Sequence, residues 1–360
     1  MTSINIIKNQ YICPDIWKNI MEYCNFIDQI NIIRLNNFTY KSLKIYDMFN
    51  INVKYIKRLT NDILKQNIYS CLEKLMIKNI SNITDISYLK NIKMLDCTNL
   101  ESHINLDHLA DTLEIFYCGG FKSCVSQNQI EKFNKLRILD CCDNPRIKNV
   151  NKFSSTLEIL HCCDRSGVNQ HGIESLTNLK TLFCSNNAYI TNIFNLNCLK
   201  KLDCSGKCGI NQNGISLAKN LRTIDCSFNQ NIYDLNFLNK TLTCLYCRGN
   251  ICGVNDEGIS GLTNLKKIDC FANKNIKNIS HFGDTMIEIN CANSNVDQDS
   301  INNMKKLRIL NCSYNYNIYG LSKLGDTLEE LYCEDCGINQ NEIQKLKYLK
   351  KIDCSNNKYI

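Results

Sequence analysis

The chain has 360 residues, 44% apolar and 21% charged, with a formal charge of +7. That composition suits a packed core and excludes a disordered tail; no run approaches the roughly 18 consecutive apolar residues of a membrane span, and residues 1–11 lack the apolar stretch of a secretory signal. Residues 1–71 hold nine Lys and Arg against five Asp and Glu, and the remainder 33 against 30, so no concentrated basic stripe of the kind that binds nucleic acid is present.

Residues 1–50 read as helical. Pro14 suits a first helical turn, and Ile16, Ile20 and Tyr23 follow on one face; a second pattern runs from Asp28 through Ile30, Ile33 and Leu35, then Phe38, Tyr40 and Leu43. Residues 51–71, with Ile56, Leu59, Ile63 and Leu64, read as a helical lead-in. The order from Pro14 to the aromatic near residue 38 resembles the F-box, a module that docks the small adaptor of cullin-RING ubiquitin ligases. The resemblance implies that Ile12, Pro14, Ile16, Ile20 and Ile33 contact that adaptor or pack beneath the contact. Two departures stand against it: Cys13 replaces the usual Leu, and Asn36-Asn37-Phe38-Thr39 occupies the place of a Cys-Arg/Lys-x-Trp step. The alternative is a plain helical cap over the first strand of a repeat array.

From residue 72 a period takes over. Thirteen of the 24 cysteines, from Cys97 to Cys354, recur every 20 to 23 residues, each with an apolar, nearly always aliphatic, residue five positions before and another two before, as in Leu199-Lys-Lys-Leu202-Asp-Cys204. Leu72-Glu-Lys-Leu75-Met-Ile77 is an earlier copy with Ile in the cysteine slot, making fourteen. Asn often stands three positions later (Asn144, Asn187, Asn229, Asn273, Asn315, Asn357), and alternate copies carry it, so the duplicated unit is a pair of repeats. The frame is similar to the leucine-rich repeat, in its short class, with Cys for the third Leu. This resemblance implies an α/β solenoid over residues 72–360, with a concave parallel sheet of about 14 strands, short 3₁₀ or helical convex segments, and an inward asparagine ladder.

Strand alternation buries the second aliphatic and the Cys. Apolar steps of three, such as Ile276, Ile279, Phe282 and Ile318, Leu321, Leu324, suit 3₁₀ turns. In the other repeats Gly209-Ile210-Asn211-Gln212 and Gly337-Ile338-Asn339-Gln340 suggest a turn in which glycine takes a positive φ. The cysteines read as a buried thiol column in a reducing compartment. A zinc or redox role is the remote alternative, resting on Cys244-x-x-Cys247, Cys333-x-x-Cys336 and His161-Cys162-Cys163; the first pair should face opposite sides of a strand. Cys142 and Cys163, one position past buried partners, should be exposed, with nothing in the sequence that activates them. No metal or other cofactor is expected.

The residue before each Cys should project from the sheet, and so should the residue four before it, where charge alternates in sign along much of the array. Cross-strand ion pairing accounts for such alternation; a polar and aromatic strip for a protein partner is the functional reading. Tyr117, His161, Lys180, Phe183, Lys200, Arg222, Asp225, Tyr246 and Asp269 are its candidate residues, centred where the duplicated pattern is broken. The five histidines fall in different repeats, with no nucleophile and base arranged for catalysis and no glycine-rich phosphate loop. The expected function is therefore a non-catalytic binding solenoid, either a substrate adaptor of a ubiquitin ligase or a plain scaffold or host-interaction binder with no ligase link. Ile360 follows the last repeat closely, so either self-association through an uncapped final strand or a frayed last turn is expected. The 53 Asn residues and the paired cysteine-bearing repeats resemble leucine-rich repeat proteins of giant amoeba-infecting viruses, which implies the cytoplasm, that of the host if viral.

Overall fold

The computed structural model describes residues 14–35, 39, 43–49 and 51–360. The chain divides into two compact units, Met1–Asp140 and Cys141–Ile360. Fifteen short strands follow one another in chain order. No described helix is long and apolar enough to cross a membrane.

The first unit opens with α1 (Pro14–Tyr23) and α2 (Phe26–Ile33). The Asn25 side chain caps α2 by accepting the Asp28 N–H at 3.0 Å. Then come β1 (Asp47–Met48), α3 (Val53–Ile56), α4 (Asn61–Leu64), β2 (Lys74–Met76), β3 (Met94–Asp96), β4 (Ile115–Tyr117), α5 (Gln127–Ile130) and β5 (Ile138–Asp140). Strands β1 to β5 pair in parallel, each with the next. β1 is one strand more than the repeat frame predicts. Ile45 and Met48 take its two aliphatic positions, both fully buried, and Met48 pairs with Leu75; Asn50 in the cysteine slot hid the copy. Residues 51–71 form α3, α4 and a 3₁₀ turn at Asn67–Tyr69 instead of one helix. Ile56, Leu59 and Leu64 are nevertheless buried, because each short turn points one apolar residue inward.

The second unit carries β6 (Ile159–His161), β7 (Thr181–Phe183), β8 (Lys201–Asp203), α6 (Gln212–Ile215), β9 (Thr223–Asp225), β10 (Cys244–Tyr246), α7 (Asp256–Ile259), β11 (Lys267–Asp269), β12 (Glu288–Asn290), α8 (Gln298–Asn302), β13 (Ile309–Asn311), β14 (Glu330–Tyr332), α9 (Gln340–Ile343) and β15 (Lys351–Asp353). All are parallel and in register. The expected 3₁₀ turns occur at Ser280–Phe282 and Ser322–Leu324.

Twelve of the thirteen regularly spaced thiols are fully buried; Cys354, after β15, is half-buried. The choice of Cys over Leu has a bonding reason as well as a packing one. In the Cys184 repeat, backbone N–H and thiol both point at the Asp203 carbonyl, at 2.8 and 3.3 Å, and Cys204 and Cys270 repeat the thiol contact at 3.5 Å with Asp225 and Asn290. These S–H contacts are weak individually. A leucine would fill the space without donating.

The asparagine ladder alternates with a second, shorter ladder. Asn273 accepts the Asn275 N–H at 3.0 Å and donates to the Cys247 and Val254 carbonyls at 2.9 and 3.1 Å; Asn187, Asn229, Asn315 and Asn357 bond likewise. In the intervening repeats the equivalent inward residue is Ser123, Ser166, Cys208, Cys252, Ser294 or Cys336, all buried. The serine hydroxyls accept the N–H two residues on, as Ser294 does from Val296 at 3.3 Å. One asparagine thus satisfies backbone groups of two repeats, and its neighbour needs only a small polar side chain.

Glycine in the Gly-Ile/Val-Asn turn does not take the positive φ expected of it, since only Gly120, Gly206 and Gly249 do so among the described glycines. Its role is close approach: a Cβ on Gly209 would lie 2.3 Å from the Ala188 carbonyl oxygen. The left-handed residue comes instead two positions past the cysteine slot, in all fourteen repeats from Asn79 to Asn356. Eleven use Asn, Asp or Gly there; the exceptions are Phe228, Ala272 and Tyr314, with φ of 58°, 56° and 57°.

Candidate functional site

Each three-residue strand turns its middle side chain inward and its two ends outward. The outward residues are therefore those one and three positions before the Cys, while the charges four before stand at the strand's entrance. Sequence reasoning missed the column three before, which carries Lys201 and Lys267; strict alternation back from the Cys would have found it.

In the second unit, register sets His161 beside Phe183 and Phe183 beside Asp203. The His161 and Phe183 rings stack with centroids 4.2 Å apart and planes 17° from parallel, and the Lys201 ammonium stands 4.9 Å from the Phe183 centroid. Tyr246 sits between Asp225 and Asp269, its ring flanked by Arg248 at 5.7 Å and Lys267 at 5.5 Å. Burial, with the Cys244 thiol alongside, raises its phenol above the usual range. Arg248 is held by Asp269 at 2.6 Å, which raises the guanidinium pKa, and Lys267 bonds Glu288 at 2.6 Å. Both rings are thus fixed on a rigid sheet with a cation beside each.

Asp225 and Asp269 turn out to serve the fold. Asp225 accepts the Ser227 N–H at 2.9 Å and Asp269 the Phe271 N–H at 3.2 Å, closing the turn after each strand. Asp269 is only 4% exposed. Burial pushes the Asp225 carboxyl up, with the Asp203 charge adding to the effect.

Lys180 pairs with Glu158 at 3.0 Å, whereas Lys200 and Arg222 are exposed. Tyr117 belongs to the first unit, half-buried on β4 with its ring 5.7 Å from Phe49. Of the adaptor-docking candidates, Ile12 lies outside the described residues and Pro14 opens α1. Ile16 and Ile20 are 53% and 37% exposed, while Ile33 is buried on α2.

Among the described residues, no three His, Cys, Asp or Glu side chains gather as a metal site. Cys247 is buried and Cys244 half-buried, and Cys333 and Cys336 are both buried. Cys142 and Cys163 are half-buried, and the Cys163 N–H lies 3.2 Å from the Cys142 sulfur. Contact with Cys142 draws the Cys163 thiol below its ordinary pKa, an activation that the sequence does not reveal.

Solved structures share the fold. An internalin of Listeria monocytogenes superposes with a TM-score of 0.51 at 18% identity, over 79% of this chain and 81% of its own. The functional domain of InlJ from the same organism, which includes a cysteine ladder, gives 0.52 at 19% identity over 78% and 66%. A leucine-rich repeat protein of Leptospira interrogans gives 0.50 at 18% identity over 93% and 82%. No family model matches the sequence, and no curated protein matches it.

Proposed function

We propose that this leucine-rich repeat chain is a binding protein that holds a protein partner across the outward face of β6 to β11, with Phe183 and Tyr246 as its anchors. The observation that carries this reading is the pair of cation-flanked rings, each fixed by register on a rigid sheet. Aromatic side chains beside Arg or Lys are the types that dominate binding energy at protein interfaces, and a preformed sheet loses little entropy on binding. Affinity capture with the full chain tests it. Partner recovered by the native protein should be lost with Phe183→Ala and Tyr246→Ala combined, with the circular dichroism of the chain unchanged; an identical captured set would remove the reading.

For the N-terminal helices the finer reading is docking of a ubiquitin-ligase adaptor, which would make the captured partner a substrate for ubiquitylation. Its support is the exposed apolar side chains Ile16, Ile20, Tyr23 and Ile27 on α1 and α2, with Ile33 buried on α2. Purified adaptor should be retained by the native chain and released by Ile16→Asp with Ile20→Asp. If the native chain retains none, the plain binder without a ligase link remains.

A further inference from the structure

We propose that the step formed by Lys200, Lys201 and Arg222 receives an acidic segment of the protein partner, with its carboxylates placed over these three cations. The proposal rests on the reading that the face of β6 to β11 holds a protein, and it names the chemistry of that protein.

Charges at the strand entrances are paired along much of the array. In the first unit Lys93 meets Glu73 at 3.1 Å and Arg137 meets Glu114 at 3.8 Å. In the second, Lys180 meets Glu158 at 3.0 Å, and Glu329 takes Lys350 at 2.8 Å and Arg308 from either side. Each of these cations is matched by an acid from the neighbouring repeat. Lys266 stands unmatched but alone, between Thr243 and Ile287, whereas Lys200 and Arg222 break the rule as a pair: they are neighbours across β8 and β9, where the Arg222 N–H donates to the Lys200 carbonyl at 2.8 Å. Both are exposed, and neither has an acidic partner among the described residues. Lys201, exposed on β8, adds a third charge without an acidic partner, its ammonium over Phe183. Like charges side by side on adjacent strands destabilise a sheet. The carboxylates of these two strands do not relieve them. Asp203 and Asp225 lie at the opposite strand ends, accepting the Ser205 and Ser227 N–H groups at 3.1 and 2.9 Å.

The same layout selects a peptide over a nucleic acid. Cations line the entrance of β8 and β9, and carboxylates line the exit, with Glu158 alongside. A strand with a phosphate at every nucleotide would bring charge over those acids too. A peptide places carboxylates only where its sequence puts them and can lay a neutral or aromatic residue on the Phe183 and His161 rings. Neighbouring strands lie about 4.8 Å apart and an extended peptide repeats its side chains about every 7 Å, so two carboxylates at alternate positions reach both Lys200 and Arg222.

The test uses the full chain and a fluorescent peptide of alternating Glu and Tyr, read by anisotropy at low salt. Binding should be saturable and should weaken at least about tenfold with Lys200→Glu and Arg222→Glu combined, with Gln in place of Glu in the peptide, and for an oligothymidine of the same charge. Equal binding in any of these three comparisons overturns the proposal, and tighter oligothymidine binding assigns the step to nucleic acid. The single variant Lys200→Glu controls for folding. It sets an acid beside Arg222 and should raise the melting temperature while weakening the peptide, whereas a lower melting temperature would refute the uncompensated charge. Captured partner that is lost with Phe183→Ala and Tyr246→Ala but retained by the charge-reversed chain sinks this proposal and leaves the binding face standing. The converse result sinks the binding face instead.

Discussion

Phe228 is the residue that most contradicts its own position. A side chain with a Cβ costs roughly 1–2 kcal/mol in the left-handed region, and a bulky one is a true outlier there. Eleven repeats avoid most of that cost with Asn, Asp or Gly; Phe228 bears it while leaving its ring 47% exposed. The ring rests on Gly249 of the next repeat, where an added Cβ would meet Phe228 Cδ1 at 2.3 Å. Phe228→Asn should therefore raise stability by about 1 kcal/mol in urea titration. Gly249→Ala should lower it, since Gly249 itself has φ of 95° and no free space. A destabilised Phe228→Asn chain would show that ring packing outweighs backbone strain. Nothing in the sequence marks this column, because Phe, Ala and Tyr interrupt it and its meaning is a dihedral angle. The rings of Phe183 and Tyr246 were legible as projecting residues, and the same alternation reaches Lys201 and Lys267; Arg248, one position past the buried Cys247, becomes visible only once the end of β10 is fixed.

At the level of the repeat, the inward polar residues decide stability more than their small number suggests. Asn273→Ala removes one acceptor and two donors, leaving the Cys247 and Val254 carbonyls unpaired in the interior and the half-buried Asn275 N–H without its acceptor. Each orphaned buried group costs about 1–3 kcal/mol, so a loss of about 3 kcal/mol or more is expected in chemical denaturation. Ser294→Ala, which loses the bonds to Val296 and the Cys291 carbonyl, should cost about half as much. Equal losses would show that the two ladders are not distinct. The asparagines were legible from spacing, because they stand three residues past Cys without exception. Their Ser and Cys counterparts were not: the offset is three for Ser294, four for Ser166 and five for Cys252. The bend between Cys and ladder residue absorbs those insertions, and a fixed frame cannot follow it. β1 escaped for a similar reason, with Ile45 and Met48 in frame but Asn50 in the thiol slot.

For the whole molecule, the thiol column couples stability to pH. Burial raises the Cys97, Cys204, Cys247 and Cys270 thiols well above their ordinary pKa, and the Cys291 thiol to about 12. The folded chain keeps protons that the unfolded chain releases above about pH 8.5. Stability is therefore fully present below that pH and falls as pH climbs toward 12, by up to about 1.4 kcal/mol per thiol per unit. The melting temperature should drop steeply between pH 8 and pH 10, while a flat profile would place those sulfurs in water. Among the described cysteines, alkylation at neutral pH should label Cys198 first, and the half-buried set that includes Cys142, Cys163 and Cys244 next, sparing the interior column until the chain unfolds.

The alternation of long and short inward side chains gives the array a parity. Asn229 is the donor for the Cys204 and Ile210 carbonyls. Cutting out residues 227–247, a single turn, would strand those oxygens opposite another short side chain, Cys252. Cutting out 227–270, twice as much protein, would bring Asn273 into the vacated place and restore the donor. The larger excision should fold and melt near the parent, and the smaller should not. Such an array lengthens or shortens without penalty only in even steps, so its inheritable module is the couplet and its natural relatives should differ by whole couplets.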